Sequence, residues 1–154
     1  MTELQNASLS DMRHWAHGLM AAREPDYVIG DNYLRRWWVV PRNEWCNVYL
    51  HEFRRSDEDR ALHDHPWANT SFLISGSYIE HTPDGQLLRK PGALVERPAT
   101  ALHRIELIDG ARAISLFVTG PKVRDWGFAC PKGWVPWQQF TDPTGRGIGA
   151  GCGE

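Results

Sequence analysis

Three histidines carry the strongest chemical signal in the chain. His63 and His65 are separated by one residue. On an extended backbone side chains alternate with period 2, so both rings project to the same side and converge on one point. His103 adds a third imidazole beyond Pro98 and a loop, at the head of the apolar-alternating run His103-Arg104-Ile105-Glu106-Leu107-Ile108. Three neutral imidazoles sharing one point make a metal site with open positions, a donor set that suits zinc, iron, copper or nickel better than magnesium or calcium. Asp64, lying between the pair, points away from them and is not counted as a ligand.

Further candidates surround these three. Along the β-rich run from Trp45 to Phe53, Asn47, Tyr49, His51 and Phe53 face one way and Cys46, Val48, Leu50 and Glu52 the other. If the first set faces inward, Tyr49 and His51 are the candidate acid and base; if the second does, Glu52 is. The mixed-charge run Arg54-Arg55-Ser56-Asp57-Glu58-Asp59-Arg60 reads as an exposed loop, with Arg54 and Arg55 available to hold an anionic substrate. Trp67, next to the histidine pair, is a candidate wall of the substrate pocket.

The elements that must position these groups are mostly short strands. Ser8 or Ser10 caps a helix over about residues 11–22, expected to pack its Trp15 face on the outside of a barrel, with His14 and His17 in solvent. Glu24-Pro25-Asp26 ends it. Tyr33 to Val40 and Trp45 to Phe53 pair as a hairpin. A strand from Thr70 to Glu80, interrupted by Gly76, meets the turn Thr82-Pro83-Asp84-Gly85, a return strand starts at Leu87, and further short strands lie at 93–96, 105–108 and 113–118. Strand after strand with turns every eight to twelve residues implies a sandwich or barrel. Residues 125–129 read as an edge strand, 131–137 as an irregular aromatic clasp, and the glycine-rich 141–154 as a flexible tail.

The histidines and their flanks resemble the two sequence motifs of the cupin superfamily over roughly Asn47 to Gly120. His63 and His65 form the H-x-H pair and Gly76 the closing glycine of the first motif; Gly92, Pro98 and His103 match the second without a gap. Asp57 stands where the first motif opens with glycine, Thr100 where the second has an internal glycine, and Asn69 where the metal-binding glutamate belongs. The resemblance implies an all-β cupin fold, a double-stranded β-helix or jelly-roll barrel, here over residues 31–140 with an N-terminal helix and lead-in over 1–30. His63, His65 and His103 are the implied metal ligands, with Asn69 as second shell or a possible fourth ligand. Three-histidine cupin sites of this kind resemble the iron sites of thiol dioxygenases. The expected cofactor is one divalent transition metal, iron first and zinc, nickel, manganese or copper as alternatives. The expected activity is that of a non-haem Fe(II) dioxygenase acting on a small anionic chelating substrate. The alternatives are a non-catalytic binder of a sugar or acid, and a cupin isomerase or epimerase.

Composition narrows the partners. A formal net charge of −2 gives no electrostatic footprint for nucleic acid. With 42% hydrophobic residues, no apolar run approaches the roughly 20 that a spanning helix needs. The polar N-terminus lacks the build of a signal peptide, so the expected location is cytoplasmic. Cys46, Cys130 and Cys152 form no CxxC spacing and are expected as free thiols. Eight tryptophans are unusual in so short a chain, a few expected to line a cavity or an interface while most fill the core, and the resemblance to cupin subunits that pair sheets edge to edge implies a homodimer.

Overall fold

The computed structural model describes residues 7–57, 60–144 and 148–153. It opens with helix α1 (Leu9–Ala22), closed at its start by a capping box. The Asp11 amide donates to Ser8 Oγ at 3.2 Å and the Ser8 amide donates back to Asp11 Oδ2 at 2.8 Å. Its buried stripe is Ala16 with Met12, Leu19 and Met20, packed on Trp37, Leu50, Ile74 and Ile114. Trp15, expected on that face, is 41% exposed. The small Ala16 takes the contact and lets the helix sit close to the sheet, which turns Trp15 toward solvent.

Twelve strands follow: β1 (Tyr27–Ile29), β2 (Leu34–Trp38), β3 (Asn47–Phe53), β4 (Leu62–His63), β5 (Asn69–Ser75), β6 (Tyr78–Thr82), β7 (Gly85–Arg89), β8 (Leu94–Arg97), β9 (Arg104–Leu107), β10 (Ala113–Thr119), β11 (Gly127–Cys130) and β12 (Gly133–Pro136). A short helix α2 (Trp137–Phe140) comes last. One wall is a six-stranded sheet in the order β1-β2-β3-β10-β5-β8; the other two sheets run β7-β6-β9 and β12-β11-β4. A bridge between His63 and His103 joins those two smaller sheets at the metal-motif residues. All pairings are antiparallel, as the hairpin-rich sequence predicts.

α1 covers one face of the six-stranded sheet, and that fixes which side chains point inward. Trp37, Leu50 and Ile114 meet the helix, so their alternating neighbours Arg36, Tyr49, His51, Phe53, Ser115 and Phe117 enter the barrel. The interior divides in two. Leu34, Phe53, Leu73, Tyr78, Ile105, Leu107 and Ala113 fill one end with apolar packing. The other end holds the buried polar residues His51, Asn69, Ser71, Glu80, Arg97, His103 and Thr119. Gly76 makes the turn between the two walls possible. Its φ is +77°, and a Cβ there would stand 2.3 Å from the Arg112 carbonyl oxygen, so no other residue fits.

The C-terminal part departs from expectation. β11 is not an edge strand, since it pairs with β12 on one side and β4 on the other, and the supposed clasp is that regular hairpin plus α2. Aromatic stacking drives the arrangement: Phe128 lies on Phe140 with centroids 3.7 Å apart and Trp126 on Trp137 at 5.9 Å. Cys130 and Cys152 form a disulfide, leaving only Cys46 free. A separation of 22 residues carries no signal in sequence, and only the return of the chain past α2 brings the two together. The bond ties residues 148–153 to β11, where the Gly151 amide also donates to the Phe140 carbonyl. Closing a loop of this size is worth roughly 3 kcal/mol. Disulfides persist mainly in oxidising compartments, so the bond weighs against the cytoplasmic default. No helix among the described residues is long and apolar enough to cross a membrane.

Candidate metal centre

His63 closes β4, His65 follows it in extended chain, and His103 stands just ahead of β9. Backbone pairing locks them together: the His63 amide donates to the His103 carbonyl at 2.9 Å and the His103 amide donates back at 3.0 Å. The His65 amide is held by the Ala99 carbonyl at 3.1 Å. Ring centroids are 4.8 Å apart for His63 and His103, 5.0 Å for His65 and His103, and 5.1 Å for His63 and His65. One nitrogen from each ring lies within 4.8 Å of the other two, a span that three ligands of one ion can occupy.

The chemistry of the donors fits a metal ion. Burial pushes His63 down to about 4 and His65 well below the ordinary imidazole value, with the neighbouring imidazoles adding to the effect at both, so both are neutral and carry lone pairs. His103 Nδ1 lies 2.8 Å from Glu80 Oε1. Burial would raise Glu80, but the His103 hydrogen bond and the Arg97 charge outweigh it and hold the carboxyl down at about 2. An ionised Glu80 can only accept, so His103 Nδ1 bears the proton and its Nε2 is free to ligate. His65 Nδ1 is buried with no hydrogen-bond partner, as a ligand atom would be.

Glu80 and Arg97 were not singled out from the sequence, yet they organise this flank. Arg97 donates through Nε to Glu80 at 2.8 Å, again through Nη2, and through Nη1 to Ser71 Oγ at 3.0 Å; Arg89 Nε reaches the other carboxylate oxygen at 2.7 Å. A cleft of about 480 Å³ opens behind the network between the unpaired edges of β7 and β8. The alternation Tyr78-Glu80-Thr82 offered one signal, a charge at an inward position of β6.

The other candidates divide. Asn69 opens β5, its Oδ1 turned toward Arg97 at 3.5 Å and its Nδ2 buried without a partner. An amide nitrogen is no metal ligand, so in this orientation Asn69 offers a donor and not a fourth ligand. Thr119, its cross-strand neighbour, likewise has a buried and unpartnered Oγ1. Trp67 stacks on His65 at 5.4 Å and lines the site. Tyr49 and His51 do face inward, but Phe117 touches both His51 at 4.9 Å and His65 at 6.1 Å and screens the two from the imidazole cluster. Arg54 and Arg55 are not brought to the site. Arg54 pairs with Glu52 on the outer face at 3.5 Å, and Arg55 donates to the Asp31 carbonyl at 3.0 Å. Parity explains this, since Glu52 lies on the side of β3 away from the interior and Arg112 also pairs with it there at 3.0 Å.

Asp64 points away from the cluster as expected. It accepts from the Gly127 amide at 2.8 Å and Trp134 Nε1 at 2.9 Å and pairs with Arg124 at 2.5 Å. It thereby fastens the β11–β12 hairpin over the ligand strand, placing Trp126 against His63 at 6.1 Å.

A solved structure of a Klebsiella pneumoniae protein with a double-stranded beta-helix domain matches at TM-score 0.52 and 21% identity, covering 67% of this chain and 90% of that one. The barrel is a cupin fold. The DMSP lyase DddQ from Ruegeria pomeroyi matches the cupin barrel at TM-score 0.53 and 14% identity, over 66% of this chain and 54% of the lyase, about half its length. A putative mannose-6-phosphate isomerase from Ralstonia eutropha matches at 0.52 and 18%, over 62% of this chain and 92% of that one. At these identities the likeness is one of fold. No protein-family model and no curated protein matches the sequence.

Proposed function

We propose that this cupin binds one divalent transition metal through His63, His65 and His103 and acts on a small anionic chelating substrate, as a non-haem Fe(II) dioxygenase does. The observation that carries this reading is the donor set: three imidazoles with one ligand atom each within 4.8 Å and, among the described residues, no carboxylate in the group. Such a set leaves the charge of a divalent ion uncompensated, which favours an anionic chelating ligand. Ferrous iron held there would supply electron transfer between a chelated substrate and dioxygen, whereas zinc would act only as a Lewis acid.

The chain's own residues supply the rest. Glu80 fixes the tautomer and direction of His103. Trp67 and Phe117 pack beside His65, and Trp126 beside His63, as apolar walls of the ring cluster. Asn69 Nδ2 and Thr119 Oγ1 offer unspent hydrogen-bonding capacity. An isomerase or epimerase would need an acid or base against the substrate, and Tyr49 and His51 lie behind Phe117.

Elemental analysis of the purified protein tests the reading. Stoichiometric iron, lost in His63→Ala, His65→Ala and His103→Ala proteins that stay folded, is the expected result. Full metal in all three variants overturns the ligand assignment, and a protein that takes up no metal favours the non-catalytic binding module.

A further inference from the structure

Inside the polar half of the barrel, away from the imidazoles, lies a cationic group that the metal site does not use. Arg36 projects inward from β2, half-buried, with its guanidinium carbon 4.4 Å from the centre of the Tyr49 ring. Its Nε donates to His51 Nε2 at 2.8 Å. That bond makes Nε2 the lone-pair nitrogen of His51, so Nδ1 carries the hydrogen, and Nδ1 is buried with no acceptor. His51 itself is held neutral by burial and by the adjacent Arg36 charge. Neither terminal nitrogen of Arg36 has a protein acceptor among the described residues, and no carboxylate there pairs with it. The charged groups it feels are Arg42 and tyrosines.

A guanidinium in a partly desolvated place is normally met by a carboxylate, because withdrawing a charge from water without compensation is costly. The other charged groups of this interior are compensated, by an opposite charge or by hydrogen bonds. Arg97 and Arg89 meet Glu80; Asp64 meets Arg124; Asp57 accepts from Tyr33 and from the Ile105 amide. Arg36 alone among them presents an open pair of N–H donors.

We infer that Arg36, carried by His51 and Tyr49, is the anchor for an oxyanion group, carboxylate or phosphate, on the ligand that this barrel takes up. Its planar fork gives two parallel N–H donors to such a group, and Tyr49 behind it limits its movement. The inference rests on the metal reading only for the other end of the ligand. A chelator long enough to pass Phe117, which lies against both His51 and His65, would meet the metal at one end and Arg36 at the other. This also gives His51 and Tyr49 a task that needs no contact with the reacting atoms: they are positioning residues for the guanidinium.

The test is calorimetric titration of the purified protein, metal-loaded and metal-free, with malonate, succinate and glutarate, with their diamides, and with inorganic phosphate. Wild type is expected to bind at least one diacid or phosphate, and the matching diamides about 10- to 100-fold more weakly. Arg36→Gln should lose binding by a similar factor while keeping its full metal content, and Arg36→Lys, which keeps the charge but not the fork, should fall between them. A tighter fit to phosphate than to any diacid identifies phosphate as the oxyanion. Equal affinity in Arg36→Gln, or diamides binding as tightly as diacids, overturns the inference; the second comparison needs no variant and holds even if Arg36→Gln fails to fold. A wild-type protein that takes up no metal but discriminates diacid from diamide in the metal-free titration keeps the role of Arg36 and removes the metal reading.

Discussion

Arg97 and Arg36 stand at opposite ends of the inner face of the six-stranded sheet, on β8 and β2, and their charges are answered differently. Arg97 is buried and spends its donors on Glu80 and Ser71, and Glu80 in turn holds His103. Arg36 donates once, to a neutral imidazole, and meets no carboxylate. The same side chain is thus closed into the protein's own network on one flank and left open on the other. A satisfied buried charge fixes geometry, here that of a ligand imidazole, whereas an unsatisfied one marks where a partner from outside the chain belongs.

The largest effect should come from breaking the closed flank. Glu80→Gln removes the carboxylate from Arg97, Arg89 and His103 together and should cost about 3–5 kcal/mol in denaturant unfolding of the metal-free protein. A loss below about 1 kcal/mol would erase the contrast between the two arginines. The same variant should weaken metal binding by about 10- to 100-fold in a competition assay with a coloured chelator, because His103 loses the group that sets its tautomer. Arg36→Gln should leave metal affinity unchanged in that assay. Sharpening the comparison, the double variant Glu80→Gln/Arg97→Met should recover about 1–3 kcal/mol of the single variant's loss, since no buried guanidinium is then left unpaired. Arg36→Gln should move stability least, by about 1 kcal/mol or less, as it removes an uncompensated charge at the expense of one hydrogen bond to His51.

The histidine triad was legible because two of its rings share a local geometry and the third sits at a recognisable motif spacing. His63 and His65 needed only the alternation of an extended chain, and the spacing of Gly92, Pro98 and His103 carried the third ring. The alternating strands and their turns gave the barrel, and the β2–β3 and β6–β7 hairpins form where their turn residues place them. Where Arg54 and Arg55 lie could not be read from the sequence, because a run of charges has no face until its strand is packed; in the structure they pair with Glu52 and the Asp31 carbonyl. Glu80 was missed because its partners arrive from β7, β8 and the loop before β9, none of which announces itself as a neighbour.

Arg36 shows most clearly where sequence stops. In Arg35-Arg36-Trp37-Trp38 each residue type occurs twice in succession, so either parity of the strand puts one arginine and one tryptophan on each face. Pattern alone cannot choose. The docking of α1 through Ala16 onto Trp37 chooses, sending Trp37 outward and Arg36 in. The sequence by itself determined most of the strands, their turns and the shared side of His63 and His65, because each depends on neighbours along the chain. Which charges are answered, which cysteines meet and which arginine enters the barrel were decided by tertiary packing, because burial and pairing depend on groups that the chain brings together only when it folds.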